Sequence, residues 1–282
     1  MFQTRLLRTG AARVGAAIVL LFLLVGILAP WLAPSDPLQI HMEHKLSLPS
    51  LEYPLGTDHL GRCVLSRLIF GIRTSLYYSL MVLTAVFSIS VPIGLLAGYA
   101  GGKVDHVIMR IIDILLAFPS LILSLAITAM LGPGMENLMI AFVAVWWTGY
   151  ARVIRGMVLQ IKESDYIMAA RAAGTSHLQI VFRHILLNTA RPILVLASLE
   201  VGTIILSIVG LSFLGLGAQP PTPEWGIMLN DSRPYIQTAP RLLLFPGLTI
   251  MLVVLGFNLL GEGLKPSNHG LAEARKEEEV SP

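Results

Sequence analysis

An all-α, polytopic membrane protein is the fold class this sequence predicts, and three observations predict it. Hydrophobic residues make up 55% of the 282 residues and charged residues only 13%, about half the roughly 25% of an ordinary soluble domain. The mean hydropathy is +0.73. The charges crowd into a few stretches and leave runs of around twenty residues, the length a bilayer demands, almost empty. The same figures exclude other classes. Cys63 is the only cysteine, so a disulfide scaffold is ruled out, and a disordered or nucleic-acid-binding chain needs far more charge. The net charge of +3 then reflects asymmetry between loops and not an anion-binding surface.

Crossing about 30 Å of hydrocarbon takes roughly 20 apolar helical residues, and six runs qualify. They are Val14 to Leu32, closed by Pro30 and Pro34; Leu76 to Tyr99; Val107 to Leu131; Leu138 to Val158; Ile193 to Leu216; and Leu242 to Leu260. Arg5, Arg8 and Arg13 precede the first run as the basic region of a signal peptide would. Its apolar length exceeds the roughly 7–15 residues of such a peptide, so it reads as an uncleaved span. The chain therefore divides into an N-terminus with the first span (1–34), an outside loop (35–73), a transmembrane unit (74–262) and a tail (263–282). A polar inside segment (162–191) and a polar outside segment (218–241) interrupt the transmembrane unit. In a six-span layout fourteen of the twenty Lys and Arg residues fall on the side of the two termini. The positive-inside rule places that side in the cytoplasm.

The inside segment is the most informative. Asp165 to Ala173 is an Ala-rich stretch that forms helix with little packing. Gly174 suits a left-handed position after a helix, and Thr175 or Ser176 can cap the next one. A helix, a sharp turn and a second helix are predicted, with Leu178, Val181, Phe182 and Ile185 as one apolar stripe of the second. Such a helix either lies on the membrane surface or docks a cytoplasmic partner.

Ala169-Ala170, Gly174 and the stretch Arg183-His184-Ile185-Leu186 resemble the cytoplasmic "EAA" loop of ABC-importer permeases. The likeness continues through Leu55-Gly-Thr-Asp-His-Leu-Gly-Arg62, Ser66-Arg-Leu68, Arg73-Thr-Ser-Leu76, Gly101-Gly-Lys-Val-Asp105 and Ala117-Phe-Pro119. It ends with Leu211-Ser-Phe-Leu-Gly-Leu-Gly217, Glu224-Trp-Gly226 and Asn258-Leu-Leu-Gly261. In combination these are similar to the permeases of dipeptide, oligopeptide and nickel importers. The resemblance implies a type I importer fold of six transmembrane helices with a cytoplasmic coupling helix, in a bacterial inner membrane with both termini cytoplasmic. It implies ATPase coupling through Ala169, Ala170, Gly174, Phe182, Arg183, His184 and Ile185. It also implies a second permease, two ATP-binding subunits that carry the ATP and Mg, and an extracytoplasmic substrate-binding protein. Met168, Leu187 and Cys63 depart from the pattern. Ile208, where peptide-type members carry an acid, and Asn230-Asp231, Arg233, Tyr235-Ile236, Thr238 and Pro240 look more like the nickel branch.

The chain holds no ATPase of its own. Ala97 to Val104 lacks both the leading Gly and the final Ser/Thr of a P-loop. A serine-protease elbow at Gly210-Leu-Ser212 fails because residue 214 is Leu. No cofactor is expected on this chain, and no nucleic acid, only membrane lipid and the partner subunits. Gly94, Gly98 and Gly102 repeat at four and make a small-residue face for close helix approach, between copies or within the chain. Ionisable groups within spans are functional candidates. Asp113 lies three residues from Arg110 and can pair with it, and Glu262 lies near Lys265. Glu200 has no basic partner on its own helix; with Ser212 it is a candidate for the translocation path. His41, His44, His59 and Cys63 are candidate metal ligands, since imidazole and thiolate suit Ni²⁺ or Zn²⁺ and His59 and Cys63 would share a helix face. The plain alternative is solvated loop residues. A stand-alone secondary transporter would need inverted repeats and paired intramembrane charges, and the sequence displays neither.

Overall fold

A computed structural model describes residues 10–264. Arg5, Arg8, the tail from Lys265 onward and any pairing of Glu262 with Lys265 lie outside the described residues. Within them every regular element is helical. The long helices are α1 (Gly10–Ile27) and α2 (Val64–Ala100), then α3 (Gly102–Leu116), α4 (Ser120–Leu131) and α5 (Met135–Lys162). There follow α6 (Asp165–Ala172), α7 (His177–Phe213), α8 (Trp225–Ser232) and α9 (Arg241–Leu264). Five of them, α1, α2, α5, α7 and α9, are long and apolar enough to cross a membrane.

Over Val107 to Leu131 the structure differs from the expectation of one straight helix. The run is divided between α3 and α4, bent by 77°. Pro119 is the cause, because it offers no N–H to the preceding turn and pushes Phe118 away from helical dihedrals. At about 1.5 Å per residue, 15-residue α3 and 12-residue α4 are each too short to cross alone. Two other helices overrun their hydropathy limits. Helix α2 starts at Val64 and has 37 residues, roughly 55 Å, so residues 64–73 are helix and not loop. Helix α7 also has 37 residues, so the second helix of the inside segment runs without a break into the fifth span.

Close approach of α2 to α5 organises the bundle. A Cβ on Gly94 would stand 2.8 Å from the Ala151 carbonyl oxygen, and one on Gly98 2.7 Å from Val158 Cβ. The small-residue face is thus used inside the chain. Gly102 instead opens α3, at φ +54° with nothing within 4 Å. Helix α1 packs on α9 by the same device, Gly15 against the Leu260 backbone and Gly256 against Ile18. Two ion pairs tie α3 to α5. Asp105 takes Arg155, and Asp113 takes Arg152 and not the expected Arg110, because α3 turns that face toward α5. Apolar side chains such as Leu20, Leu21, Ile122, Leu194 and Met251 cover the outside of the bundle and stay exposed, as lipid contact requires.

The 35–63 segment is folded tightly over one end. Each polar residue of Gly56-Thr-Asp-His-Leu-Gly-Arg62 has a structural task. Gly61 sits at φ +76°, and a Cβ there would fall 1.7 Å from the His41 carbonyl oxygen. Thr57 Oγ1 accepts from Ser47 N at 2.8 Å. Asp58 accepts from the backbone N–H groups of Leu60 and Arg62 and pairs with the Arg62 side chain at 2.7 Å. Arg62 and Arg67 are each only 2% exposed, and Asp231, from the 218–241 segment, lies 3.4 Å and 3.8 Å from them. Two buried cations thus meet two carboxylates.

Candidate functional site

At the opposite end the predicted helix, turn and helix are present, and local hydrogen bonds set the turn. After α6 the Gly174 N–H donates to the Arg171 carbonyl at 3.0 Å and the Thr175 N–H to the Ala170 carbonyl at 3.1 Å. These two bonds close a helix whose C′ residue is left-handed, and Gly174 has φ +80°. Ser176 then caps α7, its hydroxyl accepting from Gln179 N. Asn188 Nδ2 donates to the Tyr166 hydroxyl at 3.1 Å, which ties α6 to α7.

This unit has two faces. Ile167, Ile180 and Ile185 are fully buried, in one cluster with Leu95 of α2 and Ile154 and Val158 of α5. Leu178, Phe182, Met168 and Tyr166 point outward at 72%, 60%, 52% and 46% exposure. The predicted stripe of Leu178, Val181, Phe182 and Ile185 is therefore corrected: Ile180 and Ile185 face the core together. Five residues apart, they would diverge by about 140° on an α-helix. Residues 180–185 form a π-helical turn, whose wider i→i+5 bonding brings them back to one side. Of the coupling candidates, Ala169, Gly174, Phe182 and Arg183 are exposed, Ala170 and His184 are half-buried, and Ile185 is an anchor in the core.

Glu200 is half-buried on α7 near Tyr150 of α5, and Tyr150 stacks on Phe87 at 5.0 Å. Ser212 is not on an open path. It is fully buried, and a Cβ on Gly217 would lie 1.9 Å from its Oγ. Beside it is Glu224, whose role the motif alone did not reveal. Glu224 is 0% exposed and caps α8 with both carboxylate oxygens, accepting from Gly226 N at 2.9 Å and Ile227 N at 3.0 Å, with Ser75 Oγ at 3.2 Å. Burial pushes its carboxyl above the usual range, and the hydrogen bonds from Gly226, Ile227, Ser212 and Ser75 pull the other way. The Glu-Trp-Gly motif is thus a buried helix cap.

The candidate metal ligands do not converge. Residues 59–63 are not helical, so His59 and Cys63 share no helix face. His59 stacks on Tyr235 at 5.6 Å, and Cys63 is buried where α2 begins. His41 Nδ1 lies 3.2 Å from Glu43, and His44 tilts against Tyr53 at 5.5 Å. Among the described residues no three His, Cys, Asp or Glu side chains group as a metal site would need.

Comparison with known proteins bears on the whole arrangement. The family described as "Binding-protein-dependent transport system inner membrane component" matches residues 90–266. The family described as "N-terminal TM domain of oligopeptide transport permease C" matches residues 2–49. The dipeptide transport system permease protein DppC of Alkalihalophilus pseudofirmus is 46% identical, over 90% of this chain and 84% of its own length. The nickel transport system permease protein NikC of Escherichia coli K12 is 38% identical, over 90% and 92%. The glutathione transport system permease protein GsiD of Pectobacterium atrosepticum is 42% identical, over 94% and 88%. Among solved structures, inward-facing MetNI, a methionine ABC transporter, aligns with a TM-score of 0.55 at 19% identity, over 71% of this chain and 96% of that one. That likeness concerns the fold. The exposed helical bundle, the helix-turn-helix at one end and the matched length agree: the chain belongs to the binding-protein-dependent transport system inner membrane components, as a multi-pass, non-catalytic permease subunit of the dipeptide, oligopeptide and nickel type.

Proposed function

We propose that this chain forms one half of the pore of an ATP-driven importer that carries nickel, free or chelated, or short peptides. A second permease, two ATP-binding subunits holding ATP and Mg, and an extracytoplasmic binding protein complete the complex, with both termini of this chain in the cytoplasm. The observation that carries the reading is the two-faced α6–α7 unit. Its isoleucines are locked into the core while Leu178, Phe182, Met168 and Tyr166 are held out at the polar end of the bundle. A rigidly anchored apolar surface in that place suits a partner that pushes on it. ATP binding draws the ATPase subunits together, the coupling unit around Ala169 to Ile185 moves with them, and α2, α5 and α7 follow, so that the paired permeases open alternately. Glu200, half-buried on α7, is the ionisable group at membrane depth that this path would use.

The substrate rests on the relatives, which include dipeptide, nickel and glutathione permeases. Ile208, the residue that looks nickel-like, is 1% exposed in a core cluster with Ile204 and Leu211. Its apolar character thus meets a packing need and supports neither substrate over the other. The test is uptake of radiolabelled nickel against a radiolabelled dipeptide in cells with and without this chain. ATP-dependent uptake of one, lost with the chain, is expected. Uptake that persists without ATPase subunits and follows an ion gradient would overturn the reading.

A further inference from the structure

Tyr99, in the last turn of α2, touches every element of the coupling end. Its hydroxyl lies 2.6 Å from His177 Nδ1, the first residue of α7. Its carbonyl accepts from Lys162 Nζ, at the end of α5, at 2.7 Å. The Lys162 ammonium and the Arg171 guanidinium of α6 each stand 5.7 Å from its ring centroid. The ring itself packs beside the cluster of Leu95, Val158, Ile167 and Ile180. One side chain therefore meets α2, α5, α6 and α7 at once. Of these contacts the hydroxyl–imidazole bond is the directional polar link from α2 to the part of α7 that carries Leu178 and Phe182, beside the apolar packing on Ile180.

We propose that Tyr99 is a positioning residue: its hydrogen bond to His177 passes movement of the coupling unit to α2, and so sets how much substrate is carried per ATP hydrolysed. The inference rests on the docking reading of the α6–α7 unit. Docking itself uses the outward side chains, which the bond does not touch. Transmission uses the inward link, because α2 is locked against α5 along Gly94 and Gly98 and a shift at its end moves the pair as a body.

The experiment uses the complete transporter in proteoliposomes, with radiolabelled nickel and a radiolabelled dipeptide as probes. It reads retained ATPase subunit, ATP hydrolysed and probe transported. Tyr99→Phe keeps the ring, its packing and its cations, and loses only the hydroxyl; His177→Ala removes the other half. Each should leave ATPase retention at the wild-type level and lower transport per ATP by about three- to tenfold, the scale of one hydrogen bond. The double variant should fall no further than either single one. Unchanged transport per ATP in Tyr99→Phe, loss of ATPase retention in it, or effects that multiply in the double variant would each overturn the proposal. Phe182→Glu separates it from the reading beneath. If that variant loses the ATPase while Tyr99→Phe is normal, only the latch fails; if it keeps the ATPase fully, the docking reading fails.

Discussion

Replacing Gly174 puts the coupling turn under a strain whose size the structure sets. At φ +80° with nothing within 4 Å of an added Cβ, a side chain there clashes with no neighbour. The cost is purely conformational, about 1–2 kcal/mol for a residue with a Cβ and more for a β-branched one. Two backbone bonds, from Gly174 and Thr175, close the turn, and nothing packs on Gly174 itself to over-determine a strained conformation there. In Gly174→Val the turn should therefore give way, leaving the docking orientation about 5- to 30-fold less populated. Apparent affinity for the ATPase subunits falls by the same factor, because it scales with the competent fraction. The assay titrates purified ATPase subunits onto the chain in lipid nanodiscs, with uptake measured in parallel. Helix content and thermal midpoint should be unchanged, since the bundle is untouched. Gly174→Asn is the control, as Asn visits the left-handed region at low cost, and it should bind within about twofold of wild type. Valine binding like wild type, or asparagine binding as poorly as valine, would refute the reasoning.

Three further outcomes follow from the packing and charge. Asp231→Asn leaves Arg62 and Arg67 sharing Asp58 alone and should cost about 3–5 kcal/mol, read as a lowered thermal midpoint and expression level. Gly98→Ala drives a Cβ to 2.7 Å from Val158 Cβ and should cost about 1–3 kcal/mol, whereas Gly156→Ala, with open space around it, should be neutral or stabilising by up to about 1 kcal/mol; equal midpoints for the two would show that the α2–α5 contact yields freely. Burial holds the His59 imidazole below its ordinary 6.5, with Asp58 and Asp231 pulling the other way. The folded chain then binds fewer protons than the unfolded one, so stability present above pH 6.5 is lost as pH falls through the folded value. The thermal midpoint should drop between pH 7 and 5, and His59→Gln should flatten that drop.

Much of this was legible in the sequence because it depends on neighbours in the chain. Long apolar runs located the crossings, and a Gly after an Ala-rich stretch announced the turn at 174. Pro119 was equally visible, but a hydropathy run measures length and not direction, so the 77° bend was missed. The outward and inward faces of α7 were misassigned because a period of 3.6 was carried across residues 180–185, where the helix widens into a π turn. Other features depend on residues far apart. The Glu224 cap is local, but its buried contact with Ser75 comes from 149 positions away, and Asp113 pairs with Arg152 and not Arg110 because of how α3 lies on α5. The metal candidates looked close in sequence, yet the folding of the 35–63 segment over the bundle directs His59 and Cys63 apart.

The arginine pair at the end opposite the α6–α7 turn imposes a schedule on biogenesis. Arg62 and Asp231 are 169 residues apart, which at 5–20 residues per second means roughly 10–30 s of synthesis between them. Through that interval Asp58 is the one carboxylate of the four-residue cluster already made, facing two guanidinium groups. The end cap thus cannot finish until the 218–241 segment has been made, and a chain stalled before Asp231 would leave Arg62 and Arg67 sharing Asp58 alone.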